Sequence, residues 1–365
     1  MTSLAYLRAV DDEQSWRPEV EMFEALLDGW RTQQLSRNLA FGTINNGARI
    51  VRRFQEHAGS FPWDWTPTEF EIWAASLRAA KRAHSTVRSY EVSVRLFLAY
   101  VCDPAYGWDR ACLERFGSHP IQICTDENLA VHATEYEGHP ARRPLSRVEC
   151  QALFDAADDR VDAIRANSRK GWMPAFRDAT MLKVTYGWGL RRQEVVMLEV
   201  SDFGPNPHAP EFGAFGVCQV RFGKATNGSS PRHRGVLTTS EWSVDVLSEW
   251  VDDVWPQIRL PGEGSLWPSE RGPRVSKDRL NAAFATAART AGLPAGLSPH
   301  CLRHSHVTHA IEDGYDALFV QQQVGHSHSS TTAIYTSVSS DYRTRMLRAS
   351  LDKSIENTRD KGGNG

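Results

Sequence analysis

A chain of 365 residues is long enough for about two domains of ordinary size. Its 41% hydrophobic and 24% charged residues fit a soluble globular protein, and no apolar run approaches the roughly 18 residues a membrane span needs. A net charge of −2 gives no general pull towards nucleic acid, yet residues 1–30 hold seven acids and two bases while residues 31–110 hold eleven bases and seven acids.

The start, "MTSLAYLRAVDDEQSW", lacks a basic opening followed by an apolar core, so no signal peptide is expected and a cytoplasmic location follows. Residues 1–17 read as an acidic leader. From residue 18 the pattern is helical: "VEMFEALLDGWRTQ" places Val20, Phe23, Leu26 and Leu27 at helical spacing, and "FGTINNGARIVRRFQEHAG" repeats it with Ile44, Ile50, Val51 and Phe54. Thr66 before Pro67 marks a third helix start. "HSTVRSYEVSVRLFLAYVCD" is a further amphipathic helix, with Val94, Phe97, Leu98 and Val101 on its apolar side. Residues 18–136 therefore form a helical domain. Residues 137–145, with Arg142 and Arg143 between Pro140 and Pro144, read as an extended basic linker. Ser146 and Glu149 make a capping box that opens the second domain, residues 146–340. That domain is helical to about residue 200. It then shows two strands, around Val217 to Arg221 and Val236 to Thr238, flanking a Gly- and Ser-rich turn, and returns to helix from about 241. The tail, within 341–365, is amphipathic through Tyr342, Met346, Leu347, Leu351 and Ile355. The six cysteines form no CxxC pair, which argues for reduced, mostly buried thiols rather than a zinc cluster or a disulfide frame.

Four separated pieces carry chemistry-bearing residues. In "TYGWGLRRQEVVMLEV", Gly187 and Gly189 end one helix, Arg191 starts the next, and Glu194 falls on the face of Arg191, where a carboxylate holds a guanidinium in one orientation. In "RFGKATNGSSP", Lys224 is placed on the hairpin. In "LSPHCLRHSHVTHA", Ser298-Pro299 starts a helix with His300 in its first turn and Arg303 on the same face. In "VGHSHSSTTAIYTSV", Gly325 ends a helix, His326 follows, and Tyr335 lies beyond a Ser/Thr-rich turn. Taken singly, each piece has an ordinary reading: a surface Arg–Glu pair, a solvated turn lysine, a polar loop. The histidines at 300, 304, 306 and 309 invite a metal reading. No Glu stands between His300 and His304 and no Cys pair is near, so no metal is expected.

In this order the pieces G-L-R-x-x-E, a hairpin Lys, H-x-x-R and G-H-x8-Y resemble the tyrosine recombinases, the phage-integrase family. The likeness in motifs covers most of residues 145–345, and the helical first domain fits the family's core-binding domain. The resemblance implies a mainly α fold with a small antiparallel β-sheet: a helical N-terminal core-binding domain joined to a mixed α/β catalytic domain. It implies Arg191 and Arg303 as paired catalytic arginines, Lys224 as the hairpin lysine, His300 and His326 completing the pocket, Tyr335 as nucleophile and Glu194 as supporting acid. The hairpin "GKATNGSSPRHR" is longer than the family's compact form.

The implied reaction is cleavage and rejoining of DNA strands through a 3′-phosphotyrosyl intermediate, with no metal, ATP or other cofactor. Two guanidiniums clamp the negative charge of the transition state where other enzymes use metal ions. Double-stranded recombination sites are the expected partners, with Arg88, Arg142 and Arg143 as candidate DNA contacts. The resemblance further implies a homotetramer on DNA from a protein that is monomeric when free, no membrane, a nucleoid-associated location, and room for an accessory or sister recombinase. The tail helix is expected to dock on a neighbouring protomer or on its own domain. Phage, mobile element and chromosome all remain open as the natural substrate. A DNA-binding protein that kept the fold but lost catalysis would show a gap in the constellation; a phosphatase-like or topoisomerase-like enzyme would use the same Arg/His/Tyr logic, and a topoisomerase would act without a defined site.

Overall fold

A computed structural model describes residues 17–131, 143–167, 170–223 and 229–325. The leader up to residue 16, linker positions 137–142, Lys224, His326, Tyr335 and the expected tail helix lie outside the described residues. Most of the described chain falls into two compact units, residues 17–131 and residues 143–223 with 231–325.

The first unit is helical: α1 (Pro18–Ser36), α2 (Phe41–Ala58), α3 (Pro67–Ala79), α4 (His84–Val101) and α5 (Trp108–Phe116). Its apolar stripes meet as the spacing requires. Phe23, Leu26, Leu27, Ile44, Ile50, Val51, Phe54, Val94, Phe97, Leu98 and Val101 are all buried, while Val20, in the first turn of α1, stays exposed. Thr66 caps α3 reciprocally: its amide donates to Glu69 Oε2 at 2.8 Å and its hydroxyl accepts from the Glu69 amide at 3.3 Å. The core is aromatic, with Phe54 against Trp65 at 4.7 Å and Trp63 stacked on Phe116 at 4.2 Å. Glu91, fully buried on α4, accepts from Arg78 at 3.2 Å and from the Ala130 amide at 2.7 Å, which satisfies a charge that burial would otherwise penalise.

The second unit is built on α7 (Trp172–Gly187), which packs against α6 (Arg147–Ala166), α9 (Glu241–Glu249), α11 (Lys277–Thr290) and α12 (His300–Glu312). Ser146 and Glu149 cap α6 as expected, the Ser146 amide donating to Glu149 at 2.9 Å. A short α8 (Arg192–Val196) precedes the sheet, and α10 (Trp255–Ile258) and α13 (Ala317–Val324) complete the helices. Between α9 and α10 the helix widens into a π turn, Trp250–Val254. Pro256 just beyond it has no amide to donate and its ring crowds the preceding turn. Trp250 and Trp267 stack at 5.7 Å deep in the core, and their indole N–H groups donate to Leu266 O at 3.0 Å and Val195 O at 2.8 Å.

The sheet has three antiparallel strands in the order β1 (Phe203–Gly204), β2 (Val217–Val220), β3 (Arg234–Leu237), where the sequence suggested two. β1 makes two pairings, Phe203 with Cys218 and Gly204 with Val217, too short a strand to show any alternation. In the hairpin, Cys218 pairs with Val236 and Val220 with Arg234. All six cysteines are free thiols, and all but the half-buried Cys102 are buried. Among the described residues no helix is long and apolar enough to cross a membrane.

Candidate active site

The end of α7 sets the site. Trp188 is fully buried, its indole N–H donating to Thr238 Oγ1 at 3.1 Å. Gly189 takes the left-handed conformation, φ 58°, and a β-carbon there would lie 2.5 Å from Cδ2 of His306. Glycine is therefore needed both for the backbone and for the close approach of α12. The turn delivers Arg191 to the residue before α8, with Glu194 one turn on.

Glu194 is 2% exposed and accepts four hydrogen bonds of 2.8 Å each: from the amide and Nη1 of Arg191 and from Nη1 and Nη2 of Arg234. Burial works against its charge. The hydrogen bonds and charge of Arg234, followed by the bonds from Arg191, outweigh burial and hold the carboxyl down at about 2. Arg303 rises from α12 with Nη1 donating to Gly189 O at 2.6 Å and Nη2 to Val324 O, and stands 3.9 Å from Glu194. Burial first, then the charge of Arg191, push its guanidinium down to about 9, against the pull of Glu194. It remains a cation at neutral pH and holds the weakest claim on the shared carboxylate.

α13 supplies the other wall. A helix leaves its last carbonyls without partners of their own, and they lie at the negative end of its dipole. Here three consecutive carbonyls each receive an arginine: Gln323 O from Arg234 Nε at 2.8 Å, Val324 O from Arg303, and Gly325 O from Arg191 Nη2 at 2.9 Å. Gly325 is left-handed, φ 62°, and a β-carbon on it would lie 3.0 Å from the Arg234 side chain. Three guanidiniums thus face one carboxylate, with Arg191 (25% exposed) presenting the surplus charge to solvent and Arg303 (2%) fixed behind it.

Of the residues singled out in the sequence, Arg191, Glu194 and Arg303 come together here. His300, in the first turn of α12, is itself exposed, its ring 4.6 Å from that of His304, one turn before Arg303. Arg143 is bound to the cap of α6, donating to Glu149 at 2.7 and 2.5 Å, so its charge is already engaged within its own unit. Arg88 is half-buried on α4 of the first unit. Arg142, Lys224, His326 and Tyr335 lie outside the described residues, but the residues just before Lys224 and His326 are described: Gly223 donates to Arg232 O at 3.2 Å across the hairpin, and Gly325 caps α13. Arg234 escaped sequence reasoning. The signal was its strand parity with the buried Val236, which turns its side chain inward, where a guanidinium needs a carboxylate.

The remaining histidines of α12 have structural partners. His309 Nδ1 is hydrogen-bonded to Tyr186 Oη at 2.8 Å, and His306 packs on Gly189. Among the described residues no three His, Cys, Asp or Glu side chains gather into a metal-ligand group. Burial and the charge of Arg303 push His306 down to about 4, so the fold holds it neutral. Its contribution is complete above the unfolded value of 6.5 and is lost as pH falls towards 4, because the unfolded chain takes up the proton first. Between pH 7 and 4.5, urea unfolding of the wild type should lose roughly 2 kcal/mol more than His306→Gln loses. Parallel losses would show that His306 is not held neutral.

Two guanidiniums fixed by a carboxylate and by helix-end carbonyls make an arrangement with the chemistry to coordinate an oxyanion. The phage integrase family model matches residues 156–341, just over half of the chain, and the chain belongs to that family. It is a tyrosine-type site-specific recombinase. It is 28% identical to tyrosine recombinase XerC of Chromohalobacter salexigens over 229 residues, 62% of this chain and 67% of that one. It is 33% identical to tyrosine recombinase XerD of Pseudomonas putida over 218 residues, 59% of this chain and 64% of that one. Its fold is similar to that of the XerH site-specific recombinase bound to palindromic difH substrate, with TM-score 0.62 and 18% identity over 96% of this chain and 87% of that one. It is also similar to the lambda integrase tetramer bound to a Holliday junction, with TM-score 0.54 and 16% identity over 90% of this chain and 80% of that one.

Proposed function

We propose that this recombinase cleaves and rejoins DNA by transesterification, with Arg191 and Arg303 holding the scissile phosphate and Tyr335 attacking it. The observation that carries the reading is the meeting of Arg191 and Arg303 on the last carbonyls of α13, since that helix leads straight to His326 and, nine residues later, Tyr335. Tyr335 Oη forms the new bond to phosphorus as the P–O5′ bond breaks. The tyrosine proton passes to a pocket histidine, His300 or His326, and Lys224 protonates the departing 5′ oxygen. The 3′-phosphotyrosyl ester keeps the bond energy, so a 5′ hydroxyl of another strand reseals it by the reverse step without ATP. The guanidiniums supply the charge stabilisation that a metal gives elsewhere.

The substrate in this reading is a pair of double-stranded recombination sites. The helical first unit, with Arg88, and the linker arginine Arg142 contribute phosphate contacts, so affinity falls steeply with salt. The likeness to a lambda integrase tetramer on a Holliday junction supports a homotetramer on DNA. A protein that works on such sites belongs with the nucleoid of the cytoplasm, and the XerC and XerD relatives support a search for a sister recombinase.

The test is covalent capture. Protein is incubated with nicked duplexes of randomised sequence and denatured. The DNA still attached is sequenced and the linked peptide mapped. The expected adduct joins a 3′ phosphate to Tyr335 and is absent from Tyr335→Phe, which still binds the duplex. An adduct on another residue, or one that survives in the Phe variant, overturns the assignment.

A further inference from the structure

We propose that Arg234 is a positioning residue for the phosphate clamp, holding Glu194 so that the same carboxylate orients Arg191 without cancelling the charge the reaction needs. This rests on the clamp reading of Arg191 and Arg303. Arg234 uses its whole fork. Nη1 and Nη2 each donate to one oxygen of Glu194 at 2.8 Å, and Nε donates to Gln323 O at 2.8 Å. With 13% of its side chain exposed and each guanidinium nitrogen engaged in a hydrogen bond, it acts through Glu194 rather than on a ligand. It ties together the start of β3, the carboxylate on α8 and the last turn of α13, three elements far apart in sequence.

Charge explains why a third arginine is present. Glu194 alone beside Arg191 and Arg303 would leave a single surplus positive charge. Adding Arg234 raises the surplus to two. Attack of a tyrosinate on a phosphodiester gathers two negative charges in the transition state, so the fuller cluster matches the charge that develops. Geometry explains why it is arginine. A lysine is a point charge and cannot bind both carboxylate oxygens and a carbonyl at once. The left-handed Gly325 belongs to the same arrangement, because any side chain there would press on the aliphatic part of Arg234.

The test compares Arg234→Gln and Arg234→Lys with wild type and with Arg303→Ala, using the duplex obtained by covalent capture. Single-turnover cleavage is measured at saturating protein on two substrates. One carries the natural phosphodiester, and the other a methylphosphonate at the scissile position, where a methyl group replaces one charged oxygen. Arg234→Gln should slow diester cleavage by about 10²-fold, the scale of a misplaced catalytic group, and should lose far less on the uncharged methylphosphonate. Arg234→Lys, which keeps the charge and serves if the Gln variant does not fold, should restore unfolding stability but not diester cleavage. Equal losses on both substrates, or diester cleavage at the wild-type rate by either folded variant, would overturn the proposal. Normal cleavage by Arg303→Ala would instead sink the clamp reading beneath it, whatever Arg234 does.

Discussion

Replacing Arg303 with alanine is expected to lower single-turnover strand cleavage by about 10³-fold, the upper end of what one preorganised donor to a developing oxyanion contributes. The upper end applies because Arg303 offers a rigid fork. It is nearly fully buried and fixed between Gly189 O and Val324 O before any DNA arrives, so little reorganisation remains to be made in the transition state. Burial and then the charge of Arg191 already press the guanidinium down to about 9, and an arriving phosphate would offset both. For the same reason folding should suffer little. The alanine variant loses two hydrogen bonds to carbonyls but is relieved of a poorly compensated buried charge, for a net change under about 2 kcal/mol. DNA binding should hold within a few fold, since most of the affinity comes from many phosphate contacts. Cleavage by the folded alanine variant at the wild-type rate would remove Arg303 from the phosphate site.

The parts of this molecule that were legible in its sequence are those fixed by neighbours a few residues apart. The helix start at Thr66 and Pro67, the capping box of Ser146 with Glu149, the glycine turn at 187–189 and the grip of Glu194 on Arg191 all act over a few residues, and each is found in place. The apolar stripes of α2 and α4 are buried for the same reason. Arg234 was hidden because its partners lie 40 and 89 positions away, and a Gly- and Ser-rich hairpin gives no period from which to read which way it points. β1, two residues long, carries no pattern at all. The reach from Arg143 to the cap of α6 was obscured by the prolines around it, which suggested an extended basic linker rather than an ion pair with Glu149. His300 and Arg303 share a helix face in sequence, yet one is exposed and the other buried, a division set by the packing of Gly189 and α13 against the helix rather than by spacing.

Glu194 makes the sharpest claim on stability. Glu194→Ala should cost about 3–5 kcal/mol in reversible unfolding, because removing one partner of a buried ion pair leaves the other uncompensated. Here both Arg191 and Arg234 lose their carboxylate, and Arg303 stands close enough to add repulsion. Glu194→Gln keeps the shape but turns two acceptor oxygens into one acceptor and one donor facing guanidinium N–H groups, so it should recover only part of the loss. pH separates charge from packing. With the folded carboxyl held at about 2 and the ordinary value at 4.5, the charge contribution is complete above about 4.5 and fades as pH falls towards 2, where both states hold the proton. The stability gap between wild type and Glu194→Gln should therefore be level at neutral pH and narrow below about 4.5. A gap that keeps its size into acid would assign the stabilisation to shape and hydrogen bonding, and would remove the charge balance on which the role of Arg234 depends.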